Sequence, residues 1–160
     1  MRVCIFAAGL LTAAPLSMAA QVTIPFTVTA TVMRGCAVSA TDLVFGNYPA
    51  TAAPPTVLST STISVTCELG DTYTIGLSDG ANVTGTQRRM LRTAPSAAYL
   101  NYNLFQDAGL TLEWRDNGPT RLPGVGTGFV EAHTVYGQIP GGQIVPVGAY
   151  IDTVTVTVRN

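Results

Sequence analysis

Lysine is absent from the 160 residues, so every basic side chain other than the single histidine is an arginine. Charged residues make up only 11% of the chain and the formal net charge is −1. That balance excludes the electrostatic grip that nucleic acid or an acidic membrane needs. Arg88, Arg89 and Arg92 form the one basic cluster, without stacking aromatics beside it, and a solvated strand or loop is the expected setting. Histidine is nearly absent too. His133 sits in Phe129–Val135, which reads as a strand, and no G-x-S-x-G elbow accompanies it. Two cysteines far apart and one distant histidine do not make a zinc site. Asp107 and Asp116 are candidates for a glycosidic carboxylate pair, but both adjoin turn residues, where Asp serves its own backbone. No catalytic, cofactor-binding or metal-binding residue is therefore assigned, and the chain is not read as an enzyme. Also missing are a helix-period stretch, an internal repeat and, past the N-terminus, any second long apolar run.

The N-terminus carries a compartment signal. Met1-Arg2 is followed by an apolar run from Val3 to Leu16 and then by Ser17-Met18-Ala19-Ala20. A charged start, an apolar middle and a small-residue exit define a secretory signal peptide over residues 1–20, cleaved after Ala19 or Ala20. The run is too short for a permanent membrane span. Cys4 leaves with the signal, and its place ahead of the apolar run excludes a lipoprotein cysteine. Cys36 and Cys67 remain, and an oxidising compartment favours their pairing.

The mature part, roughly 140 residues, is enough for one domain with its own core. Ser61 to Cys67 alternates with Ile63, Val65 and Cys67 on one face. Tyr73, Ile75 and Leu77 repeat the pattern, ended by Asp79-Gly80. Leu100, Tyr102 and Leu104 predict another strand, and Leu110, Leu112 and Trp114 a short one. Tyr150 to Val158 alternates Val154, Val156 and Val158 with threonines. Short strands separated by Gly, Pro, Asn and Asp predict an antiparallel sandwich. Two segments read as loops, Asn47 to Pro55 and Pro119 to Gly128. The glycines at 124, 126 and 128 lack the flanking strand and helix of a phosphate loop, so they predict a flexible hairpin tip. Asn82-Val83-Thr84 matches a glycosylation acceptor, a pattern common by chance.

The first strand is different. Val22, Ile24, Phe26, Val28, Ala30 and Val32 recur at every second position, and Arg34-Gly35-Cys36 follows with no hairpin signal. Residues 21–34 thus read as an arm ahead of a domain spanning 35–160.

These segments resemble a known family. Tyr136–Gln143 followed by Gly148–Val158 is similar to the closing signature of the spore coat protein U domain, found also in pilin subunits of archaic, Csu-type chaperone–usher systems. Tyr102–Asp107 with Thr111 and Trp114 resembles its central signature, and Gly35–Ser39 with Leu43–Gly46 its start. The stretch Trp114–Gly118 departs from the family's more usual Trp-Gly-Asp-Gly. The resemblance implies an immunoglobulin-like sandwich that lacks its final strand. A periplasmic chaperone fills the gap first, and at an outer-membrane usher the arm of a neighbouring pilin subunit replaces it. On this reading the arm residues are the donor strand, and Tyr150, Val154, Val156 and Val158 belong to the acceptor strand. Such head-to-tail strand addition builds a filament. The function implied is a secreted structural subunit of a cell-surface fimbrium with a role in attachment and biofilm. The alternatives are a spore-coat or extracellular-matrix protein using the same domain, and a carbohydrate-binding tip adhesin with Tyr99, Tyr102 and Trp114 as an aromatic platform.

Overall fold

The computed structural model describes Thr27, Thr29, residues 35–49 and residues 51–160. The predicted signal peptide and the donor-strand residues Val22, Ile24, Phe26, Val28, Ala30 and Val32 lie outside the described residues. The chain divides into two units, 1–32 and 33–160, and the second is described below.

Among the described residues the regular elements are eight strands and one 3-10 turn at Gly118–Thr120. The strands are β1 (Cys36–Ala40), β2 (Val57–Cys67), β3 (Thr72–Leu77), β4 (Arg88–Arg92), β5 (Ala98–Phe105), β6 (Leu122–Val125), β7 (Glu131–Ile139) and β8 (Val156–Arg159). They form a five-stranded sheet, β1-β2-β7-β5-β4, and a three-stranded sheet, β6-β3-β8. Every ladder is antiparallel: Cys36 stands opposite Cys67, Val57 opposite Ile139, Arg88 opposite Tyr102 and Leu77 opposite Val156. The result is the antiparallel sandwich that the alternation predicts, with the immunoglobulin-like fold that the resemblance implies.

The core follows from that alternation, because every second side chain of a strand points the same way. Ile63, Val65 and Cys67 of β2 meet Tyr73, Ile75 and Leu77 of β3, with Leu100, Tyr102 and Leu104 of β5 and Val135 and Ile139 of β7. Trp114 joins them from a connection, fully buried, with its indole N–H donating to the Ile75 carbonyl at 2.9 Å. Gly137 allows a close crossing. A Cβ there would lie 2.8 Å from a Leu43 methyl and 2.9 Å from Phe45 Cζ, so residues 43–45 can pass directly over β7.

Several expectations need correction. Leu110–Trp114 is not a strand: Leu110 has φ +57°, and the Asp107 carboxylate accepts the amides of Thr111 and Leu112 at 3.0 and 2.7 Å. Only an isolated bridge, Phe105 to Glu113, remains there. The loop expected over Pro119–Gly128 contains β6, recruited by the free edge of β3. Its glycine tip is held by backbone bonds from Gly126 N–H to Asp71 O and from Gly128 N–H to Cys67 O. Arg88 and Arg92 lie on a strand but are buried, not solvated.

Cys36 and Cys67 form a disulfide that closes a sequence separation of 31 and ties the start of β1 to the end of β2. Replacing both by serine is expected to lower unfolding stability by roughly 3–4 kcal/mol, read from urea unfolding of the purified domain.

Candidate functional site

The second sheet has three strands against five, and the side it leaves uncovered is a cavity of about 1080 Å³. Its floor is the core itself: Ile63, Leu77, Leu100, Tyr102, Leu104, Val135 and Ile139. Its rims are two extended segments, residues 40–48 and residues 145–156. The first rim leaves the β2 edge after Thr41 N–H bonds Thr62 O at 3.0 Å. It then crosses the sheet, with Phe45 edge-on to Tyr102 at 6.2 Å between centroids. The two rims run in opposite directions. They meet at one end, where Tyr48 Oη donates to Pro140 O and accepts from Gln143 N–H.

Each rim carries backbone groups that no ladder uses. On the second rim Ile151 pairs with Leu91, while Thr153 O and Thr155 O accept from Ala81 N–H and Ser78 N–H. In an extended chain the backbone groups of alternate residues point to opposite edges. Those of 152 and 154 therefore face the opposite rim. Among the described residues, no main-chain group of 42–48 bonds another main-chain group, and no backbone bond joins the rims. The gap between them offers two ladder edges over an apolar floor.

Of the predicted acceptor residues, Tyr150, Val154 and Val156 line this cavity, whereas Val158 packs on the core beyond it. The continuous strand expected over Tyr150–Val158 is regular only from Val156, because the segment begins beside β4 of one sheet and ends beside β3 of the other.

Three polar anchors were not anticipated. Asp152 occupies an inward position among valines. Its Oδ2 accepts from Tyr102 Oη at 2.6 Å, and its Oδ1 accepts from the amides of Ala81 and Asn82 and from Asn82 Nδ2 at 2.8 Å. Burial, then the bond to Asp152, pushes the Tyr102 hydroxyl well above the ordinary tyrosine range. The same bonds occupy the amide of the Asn82 glycosylation pattern. Arg92 donates to Val147 O at 2.7 Å and so fixes the mouth of the second rim. Arg88 donates to Leu77 O, Ser78 O and Trp114 O, and burial, then the neighbouring Arg115, lowers its pKa. The one weak sequence signal for these anchors is a charged residue interrupting an apolar alternation.

The residues weighed for chemistry have structural partners. His133 Nε2 and a Glu131 oxygen share the Tyr73 hydroxyl at 3.1 Å, and burial first, then Glu131, pushes that hydroxyl up to about 12. Asp107 caps its own turn, as expected. Tyr102 and Trp114 are buried, and the exposed Tyr99 carries the Arg89 guanidinium 4.0 Å from its ring centroid, so no aromatic platform is formed.

Asp116 accepts from Arg121 Nε at 3.0 Å and pairs with Arg159, anchoring the end of β8. The Arg159 bond, then Arg121, holds its carboxyl below the usual range against an opposing desolvation effect. A folded pKa below the unfolded value gives stability that is present above about pH 4 and lost as pH falls through the folded value. Amide protection factors in β8, corrected for intrinsic exchange at each pH, are expected to fall on acidification across that window, and Asp116→Asn should flatten the dependence.

A family model for the Spore Coat Protein U domain matches residues 22–157. Protein U of Myxococcus xanthus is 36% identical over 107 residues, covering 64% of this chain and 60% of that protein, so the chain spans about 60% of the length of this curated relative. Among solved structures, the chaperone–tip adhesion subunit pre-assembly complex CsuC–CsuE, from archaic chaperone-usher Csu pili of Acinetobacter baumannii, is similar. It shows 24% identity and a TM-score of 0.58 over 81% of this chain and 40% of that chain, which is a likeness of fold. The E. coli Hda pilus minor tip subunit HdaB gives 13% identity and a TM-score of 0.43 over 76% of this chain and 79% of that one. With its signature spanning nearly the whole domain, the chain belongs to the Spore Coat Protein U domain family.

Proposed function

We propose that this chain is a secreted structural subunit of a chaperone–usher fimbrium that polymerises by donor-strand exchange. Residues 1–20 are its signal peptide, 21–34 its donor arm and 35–160 its pilin domain. It reaches the cell surface through the periplasm, handed from a chaperone to an outer-membrane usher, and serves in attachment and biofilm. The observation that carries the reading is the groove: an apolar floor between two strand-like rims whose facing backbone edges make no ladder with each other. A period-two apolar arm is the complement of such a gap.

Because the rims run in opposite directions, an inserted strand is antiparallel to one and parallel to the other. Antiparallel to 150–158, it places Val22 beside β8 and Val32 near Tyr48. That end is opposite the Cys36 disulfide from which the subunit's own arm departs, so the two links of each subunit stay apart and the chain of subunits extends. The family description favours a coat or matrix protein as a second reading, using the same domain without a long filament. Genes for a chaperone and an usher beside this one separate the two. The experiment is electrophoresis of surface extracts. Unboiled samples should run as a ladder of multimers that collapses to one band on boiling. A single monomer band in unboiled extracts of producing cells would refute the reading.

A further inference from the structure

The groove leaves a second apolar feature unexplained. Leu69 and Phe129 are 82% and 78% exposed, and Val125 and Val130 beside them are exposed too. The β2–β3 and β6–β7 loops that carry them are tied together by Gly70 N–H to Gly126 O at 2.8 Å, and to the disulfide by Gly128 N–H to Cys67 O at 3.1 Å. These side chains therefore form one pole of the domain, around Cys36. At the other pole, next to Tyr48, Ile144 and Val147 are 77% and 76% exposed. Arg92 pins the Val147 carbonyl there. Contiguous exposed apolar groups held by backbone bonds mark a contact surface and not a frayed loop.

We propose that the Leu69–Phe129 pole of one subunit packs against the Ile144–Val147 segment of the next copy, forming a second interface that fixes the angle between neighbours. The inference rests on the donor-strand reading above. The chain length between the two parts forces the contact. Val32, the last apolar residue of the arm, is four residues from Cys36, a reach of at most about 14 Å. An arm seated with Val32 near Tyr48 of the acceptor holds the donor's Cys36 pole against the acceptor's 144–149 segment. Both surfaces present exposed apolar side chains; residues 144–149 carry no charge, and Glu68 and Asp71 of the β2–β3 loop border the Leu69–Phe129 patch. Lone surfaces of this kind are a liability, and covering one with the other removes both. The short tether makes a second copy the partner.

The test uses the full chain, produced with its secretion machinery, carrying Phe129→Cys and Val147→Cys together. Subunits in the fibre should cross-link under mild oxidation, so that a ladder survives boiling without reductant and collapses when reductant is added. Phe129→Cys with Thr60→Cys, whose second site lies on the outer face of β2, should give no such ladder. Phe129→Ser with Leu69→Ser should leave the unboiled ladder intact but give visibly more curved fibres in negative-stain micrographs. Normal unboiled ladders without 129–147 cross-links, or serine fibres as straight as the wild type, overturn the second interface alone. Absence of any unboiled ladder in the wild type overturns the donor-strand reading itself.

Discussion

Phe26→Asp is expected to abolish the multimer ladder while the chaperone-held monomer accumulates at the wild-type level. Phe26 sits in the middle of the arm's apolar series, ten residues ahead of Cys36 where the domain's first strand begins. In the groove the new carboxylate would face Leu100, Leu104 and Val135 or their neighbours, an apolar floor without a cation lining it. Burying an unpaired carboxylate costs far more than the roughly 1.5–3 kcal/mol that a buried Phe contributes. The six apolar residues of the arm together supply on the order of 10 kcal/mol before ordering costs, so one such charge is enough to cancel the link. Phe26→Leu, which keeps the apolar volume within range, should restore the ladder.

Trp114→Ala is expected to remove the folded subunit altogether. The indole fills the centre of the sandwich, its N–H holds Ile75 of β3, and its own carbonyl receives the Arg88 guanidinium at 2.7 Å. Large-to-small replacement at such a site costs about 3–5 kcal/mol. A domain of this size has about 5–15 kcal/mol of stability, and the second sheet of this one has three strands against five in the first. Periplasmic levels of the variant should fall to traces, whereas Phe26→Asp leaves them unchanged. The two variants thus separate folding from assembly.

The strands β2, β3 and β5 were readable in the sequence because each buries one face and so alternates strictly. The arm, whose apolar series lies outside the described residues, is inferred from the same alternation together with the missing hairpin signal at Arg34-Gly35. The groove was legible only in part. Tyr150, Val154 and Val156 show as one face of a strand, but the opposite rim, Leu43 to Tyr48, carries glycine and asparagine and, among the described residues, makes no main-chain bond to another main-chain group, so no periodicity marks it. Trp114 reads as a strand residue, because apolar spacing alone cannot show that Asp107 captures the amides of Thr111 and Leu112 and turns the chain. Arg88 and Arg92 read as solvated, because their burial depends on carbonyls from distant segments, Leu77 and Trp114 at the Arg88 guanidinium and Val147 at that of Arg92. Such convergence is a property of the tertiary fold. β6 follows the same logic: Pro123 and Gly124 argue against a strand, and the free edge of β3 creates one.

The central claim is that the gap between residues 40–48 and 145–156 accepts the arm of another copy. The most direct measurement is the thermal unfolding of a domain lacking residues 21–33, with and without a peptide of those residues. A ligand that binds only the folded state stabilises it by about 2.7 kcal/mol at a hundredfold excess over its Kd, which corresponds to a midpoint shift of several degrees or more. The account predicts a rise that saturates with peptide concentration and is absent with the Phe26→Asp peptide. An unchanged midpoint at millimolar peptide, or an equal rise with both peptides, would contradict it.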